Sequence, residues 1–193
     1  MDELAERERN KYERMWEVEA YRNYAPGEAL AKQAFVELGM SKGDTLIDFG
    51  CGTGRPAAQF ERMGADVIGI DHVTNCLDVD VNIELVQSCL WDLPKDLSAM
   101  YGYCTDVMEH IPPEKVDDVL SEIRRVVSGK VFFQIATFPD GMGRRIGETL
   151  HLSVHGPEWW SDTLSKHWSH VTVSGTRNCI AVVEDKQHGD TTP

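Results

Sequence analysis

The run Leu46-Ile47-Asp48-Phe49-Gly50-Cys51-Gly52-Thr53-Gly54 constrains this chain more than any other stretch. With Thr45 in front, its first half is a short apolar segment bounded by turn residues, which reads as a buried β-strand. Its second half sets glycines at alternate positions, 50, 52 and 54. A turn that tight needs residues tolerant of positive φ, and bare backbone lets a ligand approach closely. Residues 55–63 then read as a helix, with Pro56 tolerated in its first turn. Strand, glycine turn and helix in that order form one unit of a parallel α/β sheet.

The alternation continues along the chain. Further strands are predicted over 66–70, 83–89, 101–105, 131–137, 171–174 and 179–184. Helices are predicted over 2–23, 28–39, 112–128 and 158–167. Tyr12, Met15, Trp16 and Val18 offer the first helix a partial apolar face, and Ala25-Pro26-Gly27 breaks it. Val116, Val119, Leu120, Ile123, Val126 and Val127 give the 112–128 helix an inward face. The pattern predicts an α/β fold: a doubly wound, mostly parallel, seven-stranded Rossmann-like sheet. The last two strands are too close for a helical crossover, so the last strand is expected to run antiparallel. Residues 72–82 (HVTNCLDVDVN) are rich in β-branched, Asn and Asp residues, so the crossover helix there is expected to be reduced. Residues 1–40 read as N-terminal helices packing on a domain of 41–184, with 185–193 a polar, flexible tail.

With 193 residues, 41% of them hydrophobic, the chain is long enough for one sizeable core. No run approaches 18 apolar residues, which excludes a membrane-spanning helix. The charged N-terminus has no apolar segment of the kind found in signal peptides. The five cysteines are widely spaced with no C-x-x-C, so neither a zinc knuckle nor a disulfide frame is indicated. Reduced thiols in a cytoplasm are the simplest reading. A net charge of −13 disfavours non-specific nucleic-acid binding. From Asp71 to Glu122 there are twelve carboxylates against Lys95 and Lys115, which suits either a solubility surface or a cation.

In an open parallel sheet, ligands bind beyond the carboxyl ends of the strands. Each predicted strand end there presents a carboxylate: Asp48 before the glycine turn, Asp71-His72, Trp91-Asp92, and Asp106 through His110. Asp48 is a poor neighbour for phosphate and a good one for an amine. Asp71 suits a ribose diol, and Asp92 an exocyclic amine such as adenine N6. The inferred ligand carries an ammonium group, a ribose and an adenine, without phosphates.

These residues resemble the motifs of class I S-adenosylmethionine-dependent methyltransferases of the small-molecule type. LIDFGCGTG is similar to the family's glycine-rich motif, GID (69–71) to its ribose-binding acidic end, WDLP (91–94) to its adenine segment. TDVMEHIP (105–112) resembles the fourth-strand motif of small-molecule and quinone-type members. The resemblance spans roughly 40–137 and implies S-adenosylmethionine as cofactor and S-adenosylhomocysteine as product. It implies that Gly50, Cys51, Gly52 and Gly54 shape the methionyl pocket beside Asp48. Asp71 and His72 would meet the ribose, and Leu90, Trp91 and Asp92 the adenine. Asp106 takes the fourth-strand position, and residues 1–40, with Tyr12, Tyr21, Arg22 and Tyr24, take the place of a lid, Tyr24 reaching the cofactor.

A base helps only if the methyl acceptor has a proton to lose. Glu109, His110 and His151 are the candidates for catalysis, with His155 nearby in sequence. Glu109 and His110 alternatively brace the following helix. Trp159 and Trp160 could cage a substrate, though packing is the favoured reading. HLSVH reads as extended and lacks a matching carboxylate cluster, so no metal is expected. N-P-P-Y, D-P-P-Y and Pro-Cys motifs are absent, which leaves a small molecule methylated on O or N as the leading acceptor. Alternatives are a protein or nucleic acid delivered by a partner, a non-methylating use of the same cofactor, and a silent partner subunit. The reduced crossover would leave an apolar flank for a second copy, so a homo-oligomer is expected.

Overall fold

The apolar run ahead of the glycines forms β1 (Thr45–Phe49), buried at every position after Thr45. In this computed structural model, which describes residues 3–78 and 80–185, β1 lies inside a seven-stranded sheet. It pairs in parallel with β2 (Asp66–Asp71) on one side and β4 (Tyr101–Thr105) on the other. Beyond them β3 (Glu84–Gln87) and β5 (Val131–Ala136) extend the parallel region. The closing hairpin is β6 (His170–Ser174) and β7 (Asn178–Glu184). The strand order is β3-β2-β1-β4-β5-β7-β6, with β7 antiparallel to both neighbours, a Rossmann-like sheet as the pattern predicts.

Helices cover both faces. The N-terminal region is α1 (Glu3–Trp16) and the single turn α2 (Glu19–Arg22), followed by α3 (Pro26–Leu38). Ala31, Ala34 and Leu38 of α3, with Ala57 and Phe60 of α4 (Arg55–Arg62), pack on Leu46, Val67, Tyr103 and Phe132. On the other face α5 (Val116–Val126) and α6 (Pro157–Leu164) bring Val119, Leu120, Ile123, Trp160 and Leu164 against Ile47, Phe49, Cys104 and Phe133. Leu46 and Ile47 serve opposite faces because successive strand side chains alternate. Each large buried apolar side chain contributes about 1.5–3 kcal/mol, so these two layers hold the frame.

Two expectations change at the N-terminus. The helix predicted over 2–23 is broken: Val18 takes extended dihedrals (φ −83°, ψ 107°), which turn the chain so that Tyr21 meets Trp16 edge-on at 4.8 Å. The buried face of α1 is Ala5, Glu8, Lys11 and Met15, so Met15 alone of the expected apolar face is among its buried residues. Glu8 and Lys11 enter it as an ion pair, which offsets the cost of burying either charge alone. The Pro26 that ends the first helical region also opens α3 at its first turn, where a missing N–H costs nothing.

Between β2 and β3 no helix occurs among the described residues, so the crossover is indeed reduced. No helix among the described residues is long and apolar enough to cross a membrane. Residues 186–193, most of the predicted tail, lie outside the described residues.

Candidate active site

The connections from β1 and β4 leave for opposite faces of the sheet, so a crevice opens between their carboxyl ends. The glycine turn floors it. Gly52 sits at φ 51°, in the left-handed region, and donates its N–H to Asp71 Oδ2 at 3.0 Å. A Cβ on Gly52 would lie 3.0 Å from the indole of Trp16, which arrives from α1 as a roof. Gly54, at φ 73°, faces elsewhere: its Cβ would fall 2.8 Å from Val81 and 2.9 Å from Leu77. It makes room for the segment after β2 and not for the cleft, which corrects its expected part in the methionyl pocket.

That segment substitutes for the crossover helix through polar clamps. Arg22 of α2 donates to the carbonyls of Asn75, Cys76 (2.8 Å), Leu77 (3.2 Å) and Trp16 (3.3 Å). Arg55 Nε meets Asp78 Oδ2 at 2.6 Å, and Asn75 donates to the Glu13 carbonyl at 2.9 Å. The N-terminal helices and the shortened crossover therefore hold each other over the crevice.

The cleft has two lobes that share Trp16, Tyr21, Gly50, Asp106 and His110 as a common border. One lobe reaches Asp71, His72, Leu90 and Trp91. The other reaches Asp48, Cys51, Gly52, Phe138, Asp140 and His151, with the 65% exposed Tyr24 at its mouth. Asp92 is exposed and borders neither lobe, so the structure does not bring it to the predicted adenine position. The sequence placed it by adjacency to Trp91, but the turn at Cys89–Asp92 points its side chain to solvent.

Burial governs the charges. Asp48 has no hydrogen-bond partner at Oδ2 among the described residues, and desolvation, helped by Asp71, lifts its carboxyl to about 8. Burial lifts Asp71 to about 6, against the lowering pull of N–H donors that include Gly52 and Val73. Asp106 adopts φ 51°, uncommon for a side-chain-bearing residue, and its N–H bonds the Gln134 carbonyl at 2.9 Å. Gln134 Nε2 in turn donates to Asp106 Oδ1 at 3.2 Å. Glu109 is fully buried, its Oε1 taking the Ala136 N–H at 3.1 Å. Asp106 Oδ2 and Glu109 Oε2 meet no N–H or hydroxyl donor among the described residues. They are left with each other, and burial first, then the Asp106 charge, pushes Glu109 well above the carboxylate range so that it bonds Asp106 as the acid.

The two imidazoles complete the group. His110 and His151 meet edge-to-face with ring centroids 4.7 Å apart. His151 Nδ1 donates to the Phe138 carbonyl at 2.7 Å, leaving Nε2 with its lone pair. His110 Nδ1 lies 2.8 Å from the Tyr12 hydroxyl, and burial, then His151 and Lys11, drives its imidazole down to about 3. One ligand-type atom from each of Glu109, His110 and His151 lies within 4.8 Å of the others. His155 does not join them; it stacks on Trp159 at 3.7 Å, and Trp160 is core.

A family model described as a methyltransferase domain matches residues 46–129, the stretch that carries the glycine turn and all four carboxylates expected at the strand ends. This stretch of the chain is similar to a methyltransferase domain.

The chain shares its fold with many solved structures. It is similar to the magnesium protoporphyrin IX methyltransferase of Synechocystis PCC 6803 with bound S-adenosylmethionine, at 16% identity and a TM-score of 0.62, over 82% of this chain and 79% of that one. The Burkholderia thailandensis 1,6-didemethyltoxoflavin-N1-methyltransferase, also 16% identical with a TM-score of 0.62, aligns over 88% of this chain and 82% of its own. A methyltransferase from Archaeoglobus fulgidus reaches a TM-score of 0.66 at 14% identity, over 83% and 95% of the two chains. No curated protein sequence matches the chain significantly.

Sequence reasoning found most of the residues that border the cleft. It missed Trp16 as the roof over Gly52, Phe138 and Asp140 as walls, and the meeting of His151 with Glu109. The signal for the last was present as two separate fragments, D-x-x-E-H and a later histidine, with nothing local to join them. They are joined by the Leu152 and Ser153 N–H groups, which donate to the Glu109 carbonyl at 2.7 and 2.9 Å.

Proposed function

We propose that this enzyme moves the methyl group of S-adenosylmethionine to an oxygen or nitrogen of a small-molecule acceptor. The observation that carries the reading is the two-lobed cleft built on Asp48, Asp71 and the glycine turn. Asp48 Oδ2 is a buried carboxylate oxygen without a donor among the described residues, which fits an ammonium group. Asp71 spends one lone pair of each oxygen on a backbone N–H and keeps acceptor capacity for a diol. His72 and Trp91, edge-to-face at 6.1 Å, offer aromatic walls for a base.

When bound, S-adenosylmethionine supplies a methyl group on a sulfonium sulfur, already a strong electrophile. The acceptor's nucleophile bonds that carbon while the carbon–sulfur bond breaks and its electron pair stays on sulfur. The chain's part is to align the nucleophile and exclude water, which alone supplies several kcal/mol. Residues 1–40 act as the lid, with Trp16 and Tyr21 over the cleft and Arg22 as the latch. The acceptor lobe ends at His110 and His151, where an acceptor O–H or N–H loses its proton to solvent. The Glu109 carbonyl, which accepts the Leu152 and Ser153 N–H groups, holds the segment that carries His151 in place. The roof that Trp16 and Tyr21 form over the cleft, and the small acceptors named for the Synechocystis and Burkholderia neighbours, support a small-molecule class.

The test is calorimetric titration with S-adenosylmethionine, followed by an acceptor screen read by mass. Micromolar binding and formation of S-adenosylhomocysteine with an acceptor gaining one methyl are expected. No binding, or turnover to other cofactor fragments, would overturn the reading.

A further inference from the structure

We propose that Glu109, His110 and His151 hold a divalent first-row transition-metal ion at the acceptor end of the cleft. Its open positions take a hydroxyl oxygen of the acceptor; this second part rests on the methyl transfer proposed above.

The geometry carries the site. Three potential ligand atoms, one from each side chain, lie within 4.8 Å of one another. Neighbouring ligands of a tetrahedral ion with bonds of about 2.1 Å stand ~3.4 Å apart, so closing the widest gap takes a shift of up to about 1.4 Å. Rotamer adjustments of half-buried imidazoles supply that. Glu109 is fully buried, and its Oε2 meets no N–H or hydroxyl donor among the described residues. That oxygen faces only the Asp106 carboxyl, and an entering cation takes the place of the hydrogen bond between the two.

The imidazoles are arranged as ligands. Metal-binding histidines give their other ring N–H to a carbonyl or carboxylate, which fixes tautomer and orientation. His151 does so with the Phe138 carbonyl at 2.7 Å, and His110 with the Leu150 carbonyl. Each ring then keeps one lone pair. The Tyr12 hydroxyl meets the one on His110 at 2.8 Å in this structure, so ion entry displaces it and couples the site to α1.

Donor chemistry narrows the ion. Two imidazoles and one carboxylate suit Mn, Fe, Co, Ni or Zn, whereas Mg and Ca favour oxygen donors throughout. Three protein ligands leave positions open, and His110 and His151 both border the cleft. A hydroxyl bound there becomes more acidic, as metal-bound water does. The site thus favours oxygen over nitrogen as the atom methylated.

The probe is Co(II) added to chelator-treated, full-length enzyme, read by visible absorption and by metal analysis after dialysis. One Co(II) per chain is expected, with affinity about tenfold or more weaker in His151→Ala and in His110→Ala. Circular dichroism melts establish that each variant is folded. The proposal is overturned if the wild type binds neither Co(II), Mn(II) nor Zn(II), or if both histidine variants bind Co(II) as tightly as it does. S-adenosylmethionine affinity is measured on the same preparations. Cofactor binding without metal sinks the metal site alone, while metal binding without cofactor sinks the methyl transfer and leaves the metal site standing.

Discussion

Asp71 Oδ2 accepts the Gly52 N–H at 3.0 Å, so the tip of β2 fixes the turn that follows β1. One carboxylate both shapes the floor of the cleft and faces the ligand. Asp71→Ala is expected to lower stability by about 1–3 kcal/mol, because the Gly52 and Val73 N–H groups lose a charged acceptor. Cofactor affinity should fall with it, by a similar amount. Asp71→Asn keeps one acceptor oxygen and should lie between the two. Urea midpoints and calorimetric titration measure the pair, and an unaltered midpoint in Asp71→Ala would show that the turn is held by something else.

The buried carboxyls give the cleft a defined pH response. Asp48 is lifted to about 8 and Asp71 to about 6, both above their unfolded values near 4. The folded state then holds more protons than the unfolded state between those limits, so stability falls as pH rises. The contribution is fully present below about pH 4 and is lost as pH passes through about 8 for Asp48. Asp48→Asn removes that share, so its denaturant midpoint should decline less from pH 5 to pH 8 than the wild type's. Parallel decline in the two proteins would contradict the raised Asp48.

The glycines separate by what they face. Gly54→Ala forces a side chain to φ 73° and onto Leu77 and Val81, so it should destabilise the fold by about 2–3 kcal/mol. Gly52→Ala meets the movable indole of Trp16 and strains a residue at φ 51°, so it should cost cofactor affinity more than stability. Thermal melts with and without cofactor distinguish the two patterns, and equal losses of stability and affinity in both variants would remove the distinction.

Arg22 ties α2 to the shortened crossover. Arg22→Ala should cost only about 1–2 kcal/mol of global stability, since the guanidinium is partly exposed. Its larger effect is local: limited proteolysis near 16–25 and 72–82 should speed up, and cofactor should protect less. Cleavage at the wild-type rate would exclude the latch.

Much of the frame was legible in the sequence because its cues are local. An apolar run, a glycine turn and an amphipathic helix each declare themselves within about ten residues. The reduced crossover after Asp71 was legible for the same reason: its residues are poor helix formers wherever they are placed. The site was legible where its members stand at strand ends, as Asp48, Asp71 and Asp106 do. It was misread where only side-chain direction matters, as for Asp92 and Gly54, since adjacency in sequence says nothing about which way a loop residue points.

The sequence by itself determined the parallel frame, the place of the crevice and the acidic groups at its rim, since periodicity and turn chemistry act over short distances. Tertiary structure alone decided that β7 enters between β5 and β6, that Glu8 and Lys11 are buried as a pair, and that Trp16 roofs Gly52. It also decided that His151 meets Glu109 and His110 across 41 or 42 residues of chain. Such contacts depend on how separate elements dock, and no local propensity encodes a docking partner.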